Sequence, residues 1–164
     1  MVARLIATWF YVGYLRPAPG TWGSVAAVLL AWPIHVIAGP LGLVVAALAA
    51  FGLGLWATRD YMAATGTHDP SEVVVDEVAG QWIALLPVSI GAAHAGADLA
   101  ALWPGVLTAF LAFRLLDIAK PGPIGWADRM EGPMGVMLDD VIAGWIATLF
   151  VVVFAFVYHG MLGL

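Results

Sequence analysis

The chain has 164 residues, of which 63% are hydrophobic and 10% are charged, and its mean hydropathy is +0.97. Soluble domains carry about 25% charged residues, so this composition excludes a soluble globular protein and predicts one membrane-embedded domain over residues 1–164. The net charge of -5 comes without a basic run, which excludes nucleic acid as a partner. Cysteine is absent, which excludes disulfides and a cysteine nucleophile.

In chain order, residues 1–16 form an aromatic-rich segment without a signal-peptide cleavage site, and we expect it to lie at the membrane interface. Residues 25–58 carry no formal charge but are broken by a Gly-Pro turn at 38–42, which predicts a helical hairpin. Three further apolar runs, at 78–97, 99–113 and 141–164, come near the roughly 20 residues that a membrane span requires. The sequence therefore predicts an all-α bundle of about five membrane helices with an N-terminal interfacial segment.

Charge divides this predicted bundle into two unequal sides. The links near Gly39 and Asp98 join helices on one side and contain no Lys or Arg. Ten of the eleven acids fall on the other side, Asp98 being the exception. The positive-inside rule makes that other side cytoplasmic, since it also holds all six basic residues, Arg4, Arg16, Arg59, Arg114, Lys120 and Arg129.

Two segments that open membrane helices resemble each other: DEVAGQWIA begins at Asp76 and DDVIAGWIA begins at Asp139. One acid would be enough to interact favourably with a helix dipole, so two adjacent carboxylates in each segment favour a shared site. Gly80 lies on the same helix face as Asp76 and should let a ligand or another helix approach closely.

The charged side combines these pairs with Asp117, which lies between Arg114 and Lys120 at the end of a predicted helix. A salt bridge between Arg114 and Asp117, three residues apart, is the simpler explanation for the arginine. Several carboxylates in one place require a cation, and oxygen ligands without cysteine or clustered histidine favour Mg²⁺. Magnesium beside Lys or Arg is typical of phosphoryl transfer. The predicted metal ligands are Asp69, Asp76, Glu77, Asp139 and Asp140.

Residues 16–24, RPAPGTWGS, contain an unusual number of helix-breaking residues just before the first long apolar run. Thr21 or Ser24 could cap the following helix, and free N–H groups at a glycine-containing helix start attract anions. A plain helix start explains the stretch equally well when it is taken alone. Beside the acids and cations of this side, we interpret it as part of a phosphate-binding set that comprises Arg16, Gly20, Thr21, Gly23, Ser24, Arg114 and Lys120.

Three blocks, GYLRPAPGTWGS, HDPSEVVVDEVAGQWIALLP and FRLLDIAKPGPIGWADR…GPMGVMLDDVIAGW, resemble the phosphatidylglycerophosphatase A family in content and order over residues 13–145. The resemblance implies a Mg²⁺-dependent lipid phosphatase of the bacterial inner membrane, with its active site on the cytoplasmic side. Such an enzyme hydrolyses phosphatidylglycerophosphate to phosphatidylglycerol and inorganic phosphate. The chain has Gly132-Pro133 where the family pattern has two glycines.

In this interpretation Asp76, Asp117, Lys120 and Asp139 are the catalytic residues. The metal would be held by the two acid pairs, while Lys120, with Arg114, would neutralise the phosphoryl oxygens. The nucleophile would be either a metal-bound water or an aspartate. Asp117 is the preferred base or nucleophile because it lies between Arg114 and Lys120.

A small ion-coupled transporter is the alternative, since transporters also carry acid-bearing repeats. Transporters place ionisable residues near the membrane midplane, however, whereas these acids fall at helix ends. A non-catalytic membrane scaffold would not need so many carboxylates on one side.

Overall fold

The computed structural model describes residues 1–162, and every regular element in that range is a helix. Four segments of this range are long and apolar enough to cross a membrane: α2, α3, α6, and α4 together with the turn before it. Short 3₁₀ turns precede α2 and α4, at Val12–Tyr14 and Leu99–Leu102. The α-helices are α1 (Val2–Ala7), α2 (Pro19–Thr65), α3 (Val75–Ala95), α4 (Trp103–Ala119), α5 (Pro123–Asp128) and α6 (Pro133–Leu162).

Helix α2 consists of two limbs joined by a sharp bend at Gly39, whose φ of 60° and ψ of -157° leave helical geometry. A positive φ favours glycine, which explains this residue at the bend. Gly23 in the first limb packs against Val74, and Gly54 in the second limb packs against Val75. Because residues 31 positions apart meet the same end of α3, the limbs run antiparallel. The predicted helical hairpin is confirmed. If its two limbs are counted separately, the membrane-crossing segments within residues 1–162 number about five.

Helix α3 is the centre of the bundle. In the apolar 18-residue stretch of α3, 61% of the residues are buried. In the corresponding stretches of α2, α4 and α6 the buried share is 17%, 17% and 22%. The outer helices expose large apolar side chains along their lengths, among them Leu48, Leu111 and Phe150. Such surfaces match a hydrocarbon environment, where a helix may be apolar all round. The structure is therefore the all-α membrane bundle that the sequence predicts.

Glycines bring α3 and α6 into close contact near their N-terminal ends. A Cβ atom on Gly80 would lie 2.5 Å from the carbonyl oxygen of Asp140. A Cβ atom on Gly144 would lie 2.4 Å from the carbonyl oxygen of Gly80. Only glycine leaves room for this approach, as at other membrane helix crossings with small residues. The crossing confirms that Gly80 admits a second helix, and it brings the two acid pairs side by side.

Different contacts stabilise the two ends of the bundle. At the end that carries the acid pairs, the backbone N–H of Val74 donates to the carbonyl oxygen of Ala7 at 2.9 Å, which attaches the N-terminal segment to the start of α3. At the opposite end, Trp32 Nε1 donates to Asp98 Oδ1 at 3.1 Å. Asp98 is thus separated from the other acids, as the sequence predicts.

Candidate active site

A cavity of about 630 Å³ lies at the charged end of the bundle. Helices α3 and α6 begin there and α4 ends there, because the apolar spans stop where the charged residues start. The start of α2, the loop before α3 and residues 128–132 between α5 and α6 complete the wall. The predicted site residues that line the cavity are Gly20, Asp69, Asp76, Glu77, Arg114, Asp117, Lys120, Asp139 and Asp140.

Five carboxylates in the cavity form two groups that share one residue. Asp76, Glu77 and Asp140 each offer an oxygen within 4.8 Å of the others. Asp117, Asp139 and Asp140 do the same. Asp140, only 3% exposed, belongs to both groups. Oxygen atoms that converge in this way, without cysteine or histidine, are the donor set that Mg²⁺ prefers.

Two carboxylate oxygens in these groups are buried without a hydrogen-bond partner in residues 1–162, namely Glu77 Oε2 and Asp140 Oδ1. Other oxygens are occupied: Asp76 Oδ1 accepts from the Glu77 N–H at 2.9 Å, and Asp139 Oδ1 accepts from the Asp140 N–H at 3.0 Å. A buried anionic oxygen without a partner is costly. A bound cation would remove that cost, so the residues present fit a divalent metal ion.

Arg114 extends from the last turns of α4 toward the carboxylates. Its Nη1 atom donates to Asp117 Oδ2 at 2.6 Å and lies 3.9 Å from Glu77 Oε1. The expected salt bridge three residues apart is therefore present. Because the same guanidinium also lies near Glu77, it links the α4 acid to the α3 acid pair and is part of the cavity wall.

Lys120 joins the second acid pair. Its Nζ atom donates to Asp139 Oδ2 at 2.7 Å and also to Asp128 Oδ1. Burial alone would lower the pKa of the Lys120 ammonium, but its hydrogen bonds to Asp128 and Asp139 outweigh that effect and raise the pKa above the usual value. The lysine is therefore a stable positive charge beside the carboxylates.

The backbone of Lys120 is unusual, because φ of 46° and ψ of 50° place it in the left-handed region that favours glycine. This conformation ends α4 at Ala119 and lets the Lys120 N–H donate to the Leu116 carbonyl oxygen at 2.8 Å. A non-glycine residue here costs about 1–3 kcal/mol, a strain that occurs mostly at functional sites. The following Pro121 and the positive φ of Gly122 then redirect the chain into α5.

The predicted phosphate cradle is only partly present. Helix α2 begins at Pro19 with no side-chain cap, so the prediction that Thr21 or Ser24 caps it is wrong. Ser24 is fully buried and its Oγ donates to the Gly20 carbonyl oxygen at 3.0 Å, within the helix. Thr21 does not line the cavity.

Gly20 is the member of this stretch that reaches the site. A Cβ atom on it would lie 2.1 Å from Glu77 Oε1 and 3.1 Å from Arg114 Nη1, so a larger residue would have to displace these side-chain ends. Gly23 instead packs against Val74, which explains it as a helix contact.

Two further predicted residues lie away from the carboxylate groups. Arg16 Nη2 pairs with Glu72 Oε1 at 3.1 Å, and Arg16 does not line the cavity. Asp69 lines the cavity, but it is exposed and belongs to neither carboxylate group. Both residues lie at the charged end of the bundle, but Arg16 pairs with Glu72 and Asp69 is exposed to solvent.

Sequence reasoning missed three residues of this region. Asp128 binds Lys120, and Arg129 lines the cavity; their signal was proximity to Lys120 across the Pro-Gly-Pro turn. Gln81 is fully buried one helical turn after Glu77, and neither of its amide atoms has a hydrogen-bond partner within the described residues. Its spacing of four from Glu77 was the available signal.

Comparison with known proteins identifies the family of the chain. The family model of phosphatidylglycerophosphatase A matches residues 5–155. No solved structure matches the chain. The chain is similar to phosphatidylglycerophosphatase A of Haemophilus influenzae, with 35% identity over 156 residues that cover 94% of this chain and 88% of the relative.

Two other relatives cover most of the chain. Phosphatidylglycerophosphatase A of Escherichia coli is 32% identical over 152 residues, which cover 88% of this chain and 78% of the relative. A Bacteroides thetaiotaomicron protein provisionally named as a phosphatidylinositol-3-phosphatase is 35% identical over 144 residues, which cover 85% of each chain. The chain belongs to the phosphatidylglycerophosphatase A family, a family of phosphatases.

Proposed function

We propose that this protein hydrolyses the terminal phosphomonoester of phosphatidylglycerophosphate and releases phosphatidylglycerol and inorganic phosphate. The observation that carries the proposal is the pair of carboxylate groups that share buried Asp140, in contact with the cations Arg114 and Lys120, in a member of this family. The acids lie in the first turn of α3 and about two turns into α6, rather than at mid-span, and so do not favour the ion-coupled transporter.

We propose Mg²⁺ as the cofactor, held by Asp76, Glu77 and Asp140 in one group and by Asp117, Asp139 and Asp140 in the other. Bound there, it would supply positive charge against the phosphoryl group in the transition state. The unpartnered oxygens of Glu77 and Asp140 support this ligand set, since they lack any other partner in the described chain.

The chain's own residues divide the remaining work. Lys120 and Arg114 bind the phosphoryl oxygens and neutralise their charge, while Asp117 accepts the proton of the attacking water. The new bond joins the water oxygen to phosphorus, and the bond from phosphorus to the glycerol oxygen breaks. The glycerol oxygen takes up a proton and leaves as the hydroxyl of phosphatidylglycerol. Direct attack by Asp117 is the competing route, and a trapped phosphoenzyme would establish it.

We propose that the reaction takes place at the cytoplasmic face of the bacterial inner membrane. Charge distribution supports this side: Arg114, Lys120 and Arg129 all line the cavity at one end, and the link that contains Asp98 at the other end has no Lys or Arg. A lipid headgroup would enter this cavity from the plane of the membrane.

The test is phosphate release from phosphatidylglycerophosphate by purified protein in detergent micelles, with Mg²⁺ or with EDTA. Release should require Mg²⁺ and should be lost in Asp76→Asn and Asp139→Asn. Asp60→Asn is the matched control, because Asp60 is an exposed acid that does not line the cavity. Release without Mg²⁺, or full activity of both site variants, would contradict the proposal.

A further inference from the structure

Within residues 1–162, the Arg129 guanidinium at the cavity has no hydrogen-bond or ion-pair partner. Arg114 and Lys120 each contact carboxylates and, in the proposed mechanism, bind the phosphomonoester, so neither is left for a second phosphate. Arg129 lines the same cavity, yet no hydrogen bond or ion pair holds its guanidinium within residues 1–162. The neighbouring acid Glu131 also lines the cavity and makes no ion pair with it. An uncompensated arginine at an anion-binding site is available for the ligand.

Arg129 is positioned beside the Lys120 turn, at the mouth of the cavity. A Cβ atom on Gly125 would lie 3.4 Å from Arg129 Nη1 and 2.5 Å from the Lys120 carbonyl oxygen, so the guanidinium lies close to that turn. Arg129 is exposed, whereas Asp140 is buried. One turn earlier, Trp126 is 57% exposed, which is typical of a residue at the level of lipid headgroups.

The substrate's headgroup carries two phosphates with different fates. The terminal monoester is cleaved and must reach the buried carboxylates. The phosphodiester joins the headgroup to diacylglycerol and must stay nearer the membrane surface, because the acyl chains remain in the bilayer. A guanidinium at the cavity mouth can donate two parallel hydrogen bonds to phosphodiester oxygens.

We infer that Arg129 binds the phosphodiester, so that the enzyme selects lipids which carry a phosphodiester in addition to the phosphomonoester. The inference rests on the proposed function. Phosphatidylglycerophosphate and phosphatidylinositol 3-phosphate, the lipids in the names of the relatives, both have this combination. Phosphatidic acid has the monoester alone.

Direct binding of two probe lipids tests the inference without relying on turnover. Phosphatidylglycerol presents only the phosphodiester, and phosphatidic acid presents only the monoester. Each is titrated into detergent-solubilised protein, and tryptophan fluorescence reports binding. Arg129→Gln should weaken phosphatidylglycerol binding about tenfold and change phosphatidic acid binding less than about twofold. Arg129→Lys should recover part of the loss.

Arg59→Gln is the matched control, since Arg59 is an exposed arginine of the same end that does not line the cavity. Thermal unfolding of each variant monitors its fold. Equal weakening towards both lipids, or no weakening, would overturn the inference. A wild-type protein that fails to hydrolyse phosphatidylglycerophosphate would contradict the proposed function instead, while an Arg129-dependent preference for phosphatidylglycerol would still support the inference.

Discussion

The segments that begin at Asp76 in α3 and at Asp139 in α6 are similar in sequence but occupy different environments. In both, the first carboxylate accepts a hydrogen bond from the following backbone N–H, at 2.9 Å and 3.0 Å. The tryptophans six residues on differ: Trp82 is 4% exposed and donates to the Ala27 carbonyl oxygen, whereas Trp145 is 56% exposed. The repeat thus sets the position of the acids along each helix, while the bundle decides which side chains meet protein or lipid.

The acids of the two pairs also differ in how many carboxylate groups they join, and this gives the largest expected effect. Asp140 belongs to both carboxylate groups, whereas Asp76 belongs to one. Asp140→Asn should reduce kcat about a thousandfold. Asp76→Asn should reduce kcat only about a hundredfold, because the Asp76 variant leaves one carboxylate group complete. Phosphate release measures both, and calorimetric titration with Mg²⁺ should show the greater loss of affinity in Asp140→Asn. Equal effects of the two variants would contradict a shared role for Asp140.

The glycine crossing comes next, because there the two segments are in direct contact. Gly80→Ala and Gly144→Ala each place a Cβ atom against a backbone carbonyl oxygen, at 2.5 Å and 2.4 Å. Overpacking of this kind should lower the free energy of unfolding by about 1–3 kcal/mol. Thermal unfolding in detergent tests this, with Gly52→Ala as the control, since a Cβ atom there meets nothing within 4 Å. Unchanged stability in both variants would contradict this expectation, because it would mean that the two helices shift apart enough to admit the Cβ atom without losing stability.

The tryptophan pair should show a smaller difference. Trp82→Phe removes the hydrogen bond to the Ala27 carbonyl oxygen and should cost about 1 kcal/mol. Trp145→Phe should leave stability nearly unchanged, because that side chain is exposed at the surface of the bundle. Chemical unfolding in mixed micelles compares the two variants. A larger loss of stability in Trp145→Phe than in Trp82→Phe would contradict the conclusion that Trp82 packs in the protein core and Trp145 faces lipid.

The smallest expected effect concerns a hydrogen bond between the two helices. The Thr148 hydroxyl on α6 lies 3.0 Å from the Ile83 carbonyl oxygen of α3 and 3.1 Å from the Gly144 carbonyl oxygen of its own helix, so the two acceptors share its one hydrogen. Thr148→Val should cost about 0.6 kcal/mol, the average for hydrogen bonds between membrane helices. Thr108→Val is the matched control, since Thr108 donates only within its own helix, to Pro104. A loss no greater than in the control would show that this bond does not couple α3 to α6.

Much of the site could be predicted from the sequence because apolar runs fix where each helix meets the membrane surface. Asp76, Asp117, Asp139 and Lys120 all fall at such boundaries, and the structure brings them into one cavity. The turn at Gly39 could be predicted for a different reason, since a Gly-Pro pair marks a turn within an uncharged apolar run.

The remaining contacts depend on choices that periodicity does not encode. Ser24 could face the site or bond within its helix, and only the start of α2 at Pro19 decides this. Arg16 had several acids within reach and pairs with Glu72. Asp128 binds Lys120 beyond a turn at which the Lys120 backbone is left-handed. A lysine in a sequence gives no sign of this conformation, which usually requires glycine.

The cavity's position at the end of the helices decides where the two proposed products go. At this end of the bundle Ile118 and Trp126 are both well exposed, and the residues that line the cavity include His68 and Glu131. Phosphatidylglycerol, with its acyl chains, would remain in the membrane, whereas inorganic phosphate would dissolve in the aqueous phase. A single site at this boundary would therefore sort its two products between two phases.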